Sequence, residues 1–192
     1  MVIILNKYFP YFLSLITSFI LLYFYLKHKK KYIPLTILIF LTIFFIHIFL
    51  LSYFQYKIWQ NNPLSKFLLP PYTPISYFLS YSYHHFYKNF IWRIISGIFI
   101  LSLILFLNKI FKNSLFYEEE YIIVPSVTLL VDFPFSFLIF FSGLSFLLFK
   151  HIISKEIYEK ISIKDYWIFI SIFFIILNMV IFEKGLFISL MP

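Results

Sequence analysis

The chain is built from long apolar runs, each about as long as a membrane is thick, separated by short charged segments. An α-helix needs about 20 predominantly apolar residues to cross the hydrocarbon core of a bilayer. Backbone N–H and C=O groups in lipid must be satisfied within their own segment, which a helix does. These runs are therefore predicted to be full transmembrane helices, at about 8–26, 33–54, 91–111 and 166–182.

The composition also indicates a membrane environment for the whole chain. Hydrophobic residues make up 62% of the 192 residues and charged residues only 12%, whereas a soluble domain is about half apolar and a quarter charged. This excludes a soluble domain, a disordered chain and a nucleic-acid-binding module, so no nucleic-acid partner is expected. We predict an all-α, polytopic helical membrane protein that forms a single integral membrane domain, 1–192, in the cytoplasmic (plasma) membrane.

Small residues are scarce, which restricts both chemistry and packing. The sequence has no Cys and only three Gly, so thiolate metal sites and disulfides are excluded. No metal site and no cofactor are expected. Close contacts between membrane helices normally use small residues, and here they must rely on Ser and the few Gly.

A fifth apolar run, 121–149, is too long for one ordinary span and is interrupted near 132–134. Pro134 removes a backbone donor, and Asp132 is costly in hydrocarbon. One alternative is a single long, kinked helix. The other, which we favour, is a broken or re-entrant segment: a half-helix to about Val131, a turn, and a return helix.

The basic block before the second span sets the predicted orientation. Cytoplasmic loops carry an excess of Lys and Arg, so this block is assigned to the cytoplasm and the N-terminus to the outside. A broken segment at 121–149 also keeps the later lysines, up to Lys164, on the cytoplasmic side. The topology-determining residues are Lys27, Lys29, Lys30 and Lys31.

The segment 55–90 is predicted to be an outer interfacial element rich in aromatic residues. Asn62 and Thr73 each precede a Pro, a pattern typical of helix starts, which predicts short helices at about 63–69 and 74–90. Polar residues recur every four positions on the second, which is typical of an amphipathic interfacial helix. This polar stripe consists of Ser76, Ser80, His84 and Lys88.

The acidic residues are the candidates for catalysis. Glu118, Glu119 and Glu120 are adjacent, and could bind a cation, act as general acid or base, or dock a basic partner. They could equally complement the N-terminal dipole of the next helix. Asp132 is either a functional intramembrane acid or a turn-forming residue that bonds backbone N–H groups.

The basic residues are candidates for lipid contact. Arg93 could snorkel to a phosphate, hold a lipid-linked phosphate or pair with Asp132. His84 and Lys88 are further candidates for lipid or phosphate contact. Residues 1–117 contain 11 Lys and Arg and no acid, so this part must find its counter-ions in lipid or in the rest of the chain.

These features favour a multi-pass membrane protein that acts as a non-catalytic accessory or scaffold subunit of an envelope assembly. Its expected partners are the lipid bilayer and another membrane protein. One alternative is a membrane-embedded enzyme that acts on a lipid-linked or peptide substrate through Glu118–Glu120 and Asp132. A second alternative is a small transporter with its binding region near Asp132.

Overall fold

The computed structural model describes residues 2–27, 29–111, 115–154 and 164–183, and all regular elements in these ranges are helical. Short 3-10 turns at Lys30–Tyr32 and Ser65–Leu68 and a π-helical turn at Tyr83–Tyr87 supplement the α-helices. The α-helices are α1 (Val2–Leu26), α2 (Ile33–Asn61), α3 (Ile75–Ser82), α4 (Lys88–Ile110), α5 (Glu120–Leu129), α6 (Phe135–Ser154) and α7 (Lys164–Glu183).

Within the described ranges, three helical stretches are long and apolar enough to cross a membrane: Tyr8–Leu26, Ile33–Asn61 and Ile75–Ile110. The all-helical class expected from the sequence is therefore confirmed, together with these three candidate spans. The apolar part of α7, Tyr166–Ile181, is shorter. A fourth full span at 166–182 stays a prediction.

The segment 121–149 is broken, as the favoured alternative predicts, and a single kinked helix is wrong. α5 ends at Leu129, α6 begins at Phe135, and the two helices contact each other. Between them the Phe133–Pro134 peptide is cis, and the carbonyl of Asp132 accepts the first bond of α6, from Ser136 N at 3.2 Å. With ten residues, α5 is about 15 Å long, about half of the hydrocarbon thickness.

The chain divides into two compact units. The bundle unit comprises Met1–Phe40 and Arg93–Pro192, and in it α7 contacts α1, α5 and α6. The helices approach closely at two glycines. A Cβ on Gly143 would lie 2.1 Å from the Trp167 ring, and one on Gly97 would lie 2.6 Å from Leu129. Both glycines within the described residues thus lie where two helices are in close contact, as expected from a composition with few small residues.

The hairpin unit, Leu41–Trp92, contains the end of α2, the connection that follows it, α3 and the start of α4. α2 and α3 run antiparallel, because Ser52 Oγ lies 3.1 Å from Ser82 Oγ while the rings of Tyr56 and Phe78 are 5.2 Å apart. Aromatic packing closes the end of the hairpin. The core there consists of Trp59, Leu69 and Phe78, flanked by Tyr56 and Tyr81.

The outer segment differs from the prediction in its helix boundaries. α2 continues to Asn61 instead of ending near 54, and the predicted helix 63–69 is only the 3-10 turn Ser65–Leu68. The predicted helix 74–90 is not separate from the third span. α3 passes through the π-helical turn into α4, giving one helical stretch of 36 residues. The physical reason is that no Pro or Gly occurs between position 75 and Gly97 to interrupt it.

Neither expected N-cap residue is the cap of a helix, because the 3-10 turn begins after Leu64 and α3 begins after Pro74. Asn62 instead forms a side-chain turn just before the 3-10 turn. Asn62 Oδ1 accepts hydrogen bonds from Leu64 N at 2.9 Å and from Ser65 N at 3.3 Å. Thr73 does not cap α3, since no side chain caps the start of that helix. Its hydroxyl donates instead to the Phe67 carbonyl at 2.6 Å, across the connection.

The contact between Ser52 and Ser82 gives a direct test of the hairpin register. Because the two hydroxyl oxygens are 3.1 Å apart and the chain has no native cysteine, the double variant Ser52→Cys/Ser82→Cys should form an intramolecular disulfide under mild oxidation. The measurement is a mobility shift on a non-reducing gel. The matched variant Ser52→Cys/Ser80→Cys should stay reduced, and equal oxidation of both pairs would contradict the register.

Candidate functional site

Arg93 and Asp132 form an ion pair within the bundle unit. Arg93 lies in the second turn of α4 and is 1% exposed. Its Nε donates to Asp132 Oδ1 at 2.6 Å. Of the alternatives that the sequence left open for Arg93, pairing with Asp132 is therefore present.

Other groups form hydrogen bonds with both charged side chains. Arg93 Nη1 donates to Ser14 Oγ and to the Leu130 carbonyl, each at 3.0 Å. Asp132 Oδ2 accepts a hydrogen bond from Asn178 Nδ2 at 3.2 Å. A further side-chain hydrogen bond joins Asp132 to Tyr11. We call these five side chains the Arg93–Asp132 network: Tyr11, Ser14, Arg93, Asp132 and Asn178.

The network connects four parts of the bundle unit: α1, α4, the turn between α5 and α6, and α7. An isolated charge in a membrane interior is costly, whereas a paired and hydrogen-bonded one is tolerated. The opposite charges of Arg93 and Asp132 neutralise each other, and the hydrogen bonds from Asn178 and to Ser14 satisfy further polar atoms. Asp132 lies in the turn between α5 and α6, and its carboxylate bonds to the side chains of Arg93, Asn178 and Tyr11. A functional role for this acid stays a prediction.

The acidic triplet does not act as a unit. Glu118 is exposed, Glu119 is half-buried and Glu120 is fully buried at the first position of α5. Glu120 Oε2 accepts a hydrogen bond from Tyr117 N, just before the helix, at 2.9 Å, and Oε1 accepts one from Trp167 Nε1 at 3.4 Å. The helix-start interpretation of the triplet therefore holds for Glu120.

The side chain of Asn108 forms four hydrogen bonds with the segment that leads into α5 and with its second residue, Tyr121. Its Oδ1 accepts hydrogen bonds from Leu115 N and Phe116 N, both at 3.1 Å. Its Nδ2 donates to the Phe116 carbonyl at 3.3 Å and to the Tyr121 hydroxyl. A buried amide with this many partners fixes the backbone on both sides of it, so Glu120 is held in a defined position.

The two acidic positions lie at opposite ends of α5. Glu120 is the first residue of this helix, and Asp132 follows its last residue, Leu129. Ten residues of helix extend about 15 Å, so the carboxylates of Glu118–Glu120 and Asp132 do not converge. A mechanism that uses both acids on one substrate is therefore not assembled by these residues.

The other candidate residues lie on surfaces. Lys27, Lys29 and Lys31 are exposed before α2. His84 is exposed in the π-helical turn, with its ring 5.2 Å from that of Tyr83, and Lys88 is half-buried at the start of α4. Among the described residues, no three His, Asp or Glu side chains are grouped so that they could hold a metal ion.

An apolar groove of about 300 Å³ runs between α1 and α7 beside the network. Tyr11 contributes to both, because it lines the groove and is hydrogen-bonded to Asp132. A lining of aromatic and aliphatic side chains suits a hydrocarbon chain better than a polar solute. The lining residues are Tyr8, Phe9, Tyr11, Phe12, Leu15, Ile175 and Met179.

Sequence reasoning identified Arg93 and Asp132 but not their partners. Ser14 and Asn178 are polar residues inside apolar runs, and this was the only signal that could have marked them. Asn108 carries the same signal, because it lies in the apolar run 91–111. Tyr11 and Trp167 carry no such mark in a sequence so rich in aromatic residues. Comparisons with protein-family models, with curated proteins and with solved structures give no significant match for this chain.

Replacing Asp132 should destabilise the bundle unit strongly. Asp132→Asn keeps the shape but leaves the Arg93 guanidinium, which is 1% exposed, without its counter-charge, at an expected cost of about 3–5 kcal/mol. The measurement is the unfolding midpoint in detergent. The double variant Arg93→Met/Asp132→Asn removes both charges and should regain most of the loss. A single variant as stable as the parent would contradict the role given to the ion pair.

The acidic triplet offers a matched pair of substitutions. Glu120→Gln places an amide where two N–H donors now meet a carboxylate, so we expect a loss of about 1–3 kcal/mol in unfolding free energy. Glu118→Gln, at an exposed position, should change stability little. The same detergent unfolding assay applies. Equal effects of the two substitutions would show that burial of Glu120 is not what matters.

Proposed function

We propose that this chain is a non-catalytic accessory or scaffold subunit of a membrane assembly, and that its hairpin unit engages another membrane protein. In this proposal the chain sits in the plasma membrane with about four full spans and its N-terminus outside. The observation that carries the proposal is the tip of the hairpin unit, defined as residues 56–81. It combines a rigid aromatic core with a surface of exposed apolar side chains.

The core of the tip is well packed. Trp59, Leu69 and Phe78 are 9%, 3% and 5% exposed, and the Trp59 ring lies 4.7 Å from Tyr81 and 5.4 Å from Phe78. The hydroxyl of Thr73 bonds across the connection. Such a core holds the surface residues in fixed positions, which lowers the entropy cost of binding a partner.

The surface of the tip is apolar where a partner would bind. Leu64 is 82% and Tyr72 is 60% exposed, and both lie in the connection between the helices. The Tyr72 ring lies 4.8 Å from that of Phe67, which is 49% exposed, and adjoining exposed apolar side chains mark interaction sites. Tyrosine is also enriched at protein interfaces and in the membrane-interface region.

The length of α2 supports the location of the tip. Its 29 residues extend about 44 Å, whereas the hydrocarbon core is about 30 Å thick. A helix that begins near the cytoplasmic surface at Ile33 therefore carries the tip into or beyond the opposite headgroup layer. Apolar side chains there need to be covered by headgroup-level lipid or by protein.

The geometry favours this function over the two alternatives. An enzyme that uses Glu118–Glu120 together with Asp132 would need these acids on one substrate, and they lie at opposite ends of α5. A transporter that binds its solute at Asp132 would need that carboxylate available, and Arg93, Asn178 and Tyr11 already bond to it. In the hairpin unit, in contrast, the apolar side chains of Leu64 and Tyr72 are exposed.

Copurification from native membranes in mild detergent tests the proposal. The tagged chain should retain a defined partner, and the tip variant Leu64→Ser/Tyr72→Ser should lose most of it, because it removes exposed apolar contacts without touching the core. The matched control is Leu138→Ser, at a site on α6 that is 49% exposed. A parent chain that elutes alone, or a control that loses as much partner as the tip variant, would overturn the proposal.

A further inference from the structure

Two lysines lie on the surface of the tip, Lys57 near the end of α2 and Lys66 in the 3-10 turn that follows. Both side chains are exposed. Lys57 Nζ lies 5.9 Å from the centre of the Tyr53 ring and donates to Gln60 Oε1 at 3.2 Å. Lys66 Nζ lies 5.4 Å from the centre of the Phe67 ring. These contacts are with neutral groups, so they hold both charges at the surface without neutralising them.

The length of α2 places Lys57 at the level of lipid headgroups. Lys29 and Lys31 are exposed just before α2, so this end of the helix lies at a bilayer surface, because lysine is costly in hydrocarbon. From Ile33 to Lys57 the helix rises about 36 Å, whereas the hydrocarbon core is about 30 Å thick. Lys57 is therefore about 6 Å beyond the opposite edge of the hydrocarbon core, which is within the headgroup layer.

The chain after α2 folds back, which keeps Lys66 close to the same layer. The backbone N–H of Lys66 donates to the carbonyl of Asn62 at 3.0 Å. Leu69, three residues further on, packs with Trp59 in the core of the tip, and Trp59 is two residues from Lys57. The turn that carries Lys66 therefore lies against the end of α2 and does not project away from the bilayer.

The surroundings of the two lysines are those of a membrane interface. Tyr53, Tyr72 and Tyr77 are 49%, 60% and 49% exposed, and tyrosine is enriched at headgroup level. The tip contains two Lys and no Asp or Glu, so the charge that it brings to this level is positive only. A lysine near an anionic membrane surface strengthens the attraction about fivefold.

From this placement we infer that Lys57 and Lys66 bind the phosphate groups of anionic phospholipids, and that the tip gathers these lipids around it. Phosphate is the anionic group of the headgroup layer, and an ammonium group binds it through charge-assisted hydrogen bonds. In a zwitterionic lipid the choline group cancels the phosphate charge, so anionic lipids are preferred. The inference goes beyond the proposed function, because it assigns the two lysines to lipid and leaves Leu64 and Tyr72 to the protein partner.

Lipid-specific fluorescence quenching tests the inference on the purified chain in vesicles. Because the chain has no native cysteine, a fluorophore can be placed on Phe54→Cys, a site that is 57% exposed and lies one turn before Lys57. The vesicles are an equimolar mixture of phosphatidylcholine and phosphatidylglycerol. One or the other lipid carries a nitroxide near the top of an acyl chain. The ratio of phosphatidylglycerol to phosphatidylcholine beside the fluorophore should exceed the bulk ratio about fivefold or more.

Charge variants identify the residues responsible. Lys57→Gln/Lys66→Gln should bring the local lipid ratio close to the bulk ratio, Lys57→Arg/Lys66→Arg should keep it high, and Lys57→Glu/Lys66→Glu should bring it below the bulk ratio. The matched control Lys29→Gln/Lys31→Gln removes two charges at the other end of α2 and should leave the local ratio unchanged. Raising the ionic strength to about 1 M, where the Debye length is about 3 Å, should lower the local ratio of the parent chain.

Two results would reject the inference: equal quenching by the two labelled lipids in the parent chain, or a phosphatidylglycerol preference that persists in Lys57→Gln/Lys66→Gln. Formation of the Ser52→Cys/Ser82→Cys disulfide in the same lysine variants, without the Phe54→Cys change, verifies that the hairpin still folds. A loss of preference is then a loss of lipid binding.

The proposed function fails separately. Quenching is measured on the purified chain, so the absence of a protein partner in copurification would reject the accessory-subunit function and leave the lipid result standing. The tip variant Leu64→Ser/Tyr72→Ser keeps both lysines, and it should lose the protein partner while it retains the phosphatidylglycerol preference. Retained copurification with equal quenching by both lipids would reject the lipid inference alone.

Discussion

The ion pair between Arg93 and Asp132 is the constraint on which the bundle unit depends. Each charge alone would be expensive in a membrane interior, and each becomes tolerable only through the other and through the hydrogen bonds around them. The cost of separating them is therefore distributed over every element that contributes a group: α1 through Ser14, α4 through Arg93, and α7 through Asn178. Apolar packing against lipid cannot specify such an arrangement, because lipid tails are as apolar as leucine. The polar groups provide the specificity.

The ion pair also explains why the break between α5 and α6 is placed where it is. In a continuous helix the Leu130 carbonyl would face Pro134, which has no N–H to donate. In the turn this carbonyl accepts from Arg93, and the Asp132 carboxylate binds the same guanidinium. Irregular backbone at membrane depth is tolerated only where protein or water satisfies it. Here a buried arginine does so.

Much of this architecture follows from the sequence, because membrane thickness fixes how long an apolar run must be. The break was predictable, since Asp132 and Pro134 both disfavour a continuous helix. Pairing of Arg93 with Asp132 was one of the open alternatives. The roles of Ser14 and Asn178 were not predictable, because a single sequence does not show which faces of two membrane helices meet. The outer segment was misjudged for a physical reason. Aromatic and polar composition suggested an interfacial helix, but without Pro or Gly between 75 and 97 the helix simply continues.

The two ends of α5 are both held by the same helix. Glu120 at the first residue of α5 accepts from Trp167, and Asp132, just after its last residue, accepts from Asn178. Trp167 and Asn178 are eleven positions apart on α7, about 16 Å along its axis, which matches the length of α5 of about 15 Å. Sliding one helix past the other by a single turn, about 5.4 Å, would break both bonds at once. The two hydrogen bonds therefore fix the register of α5 along α7.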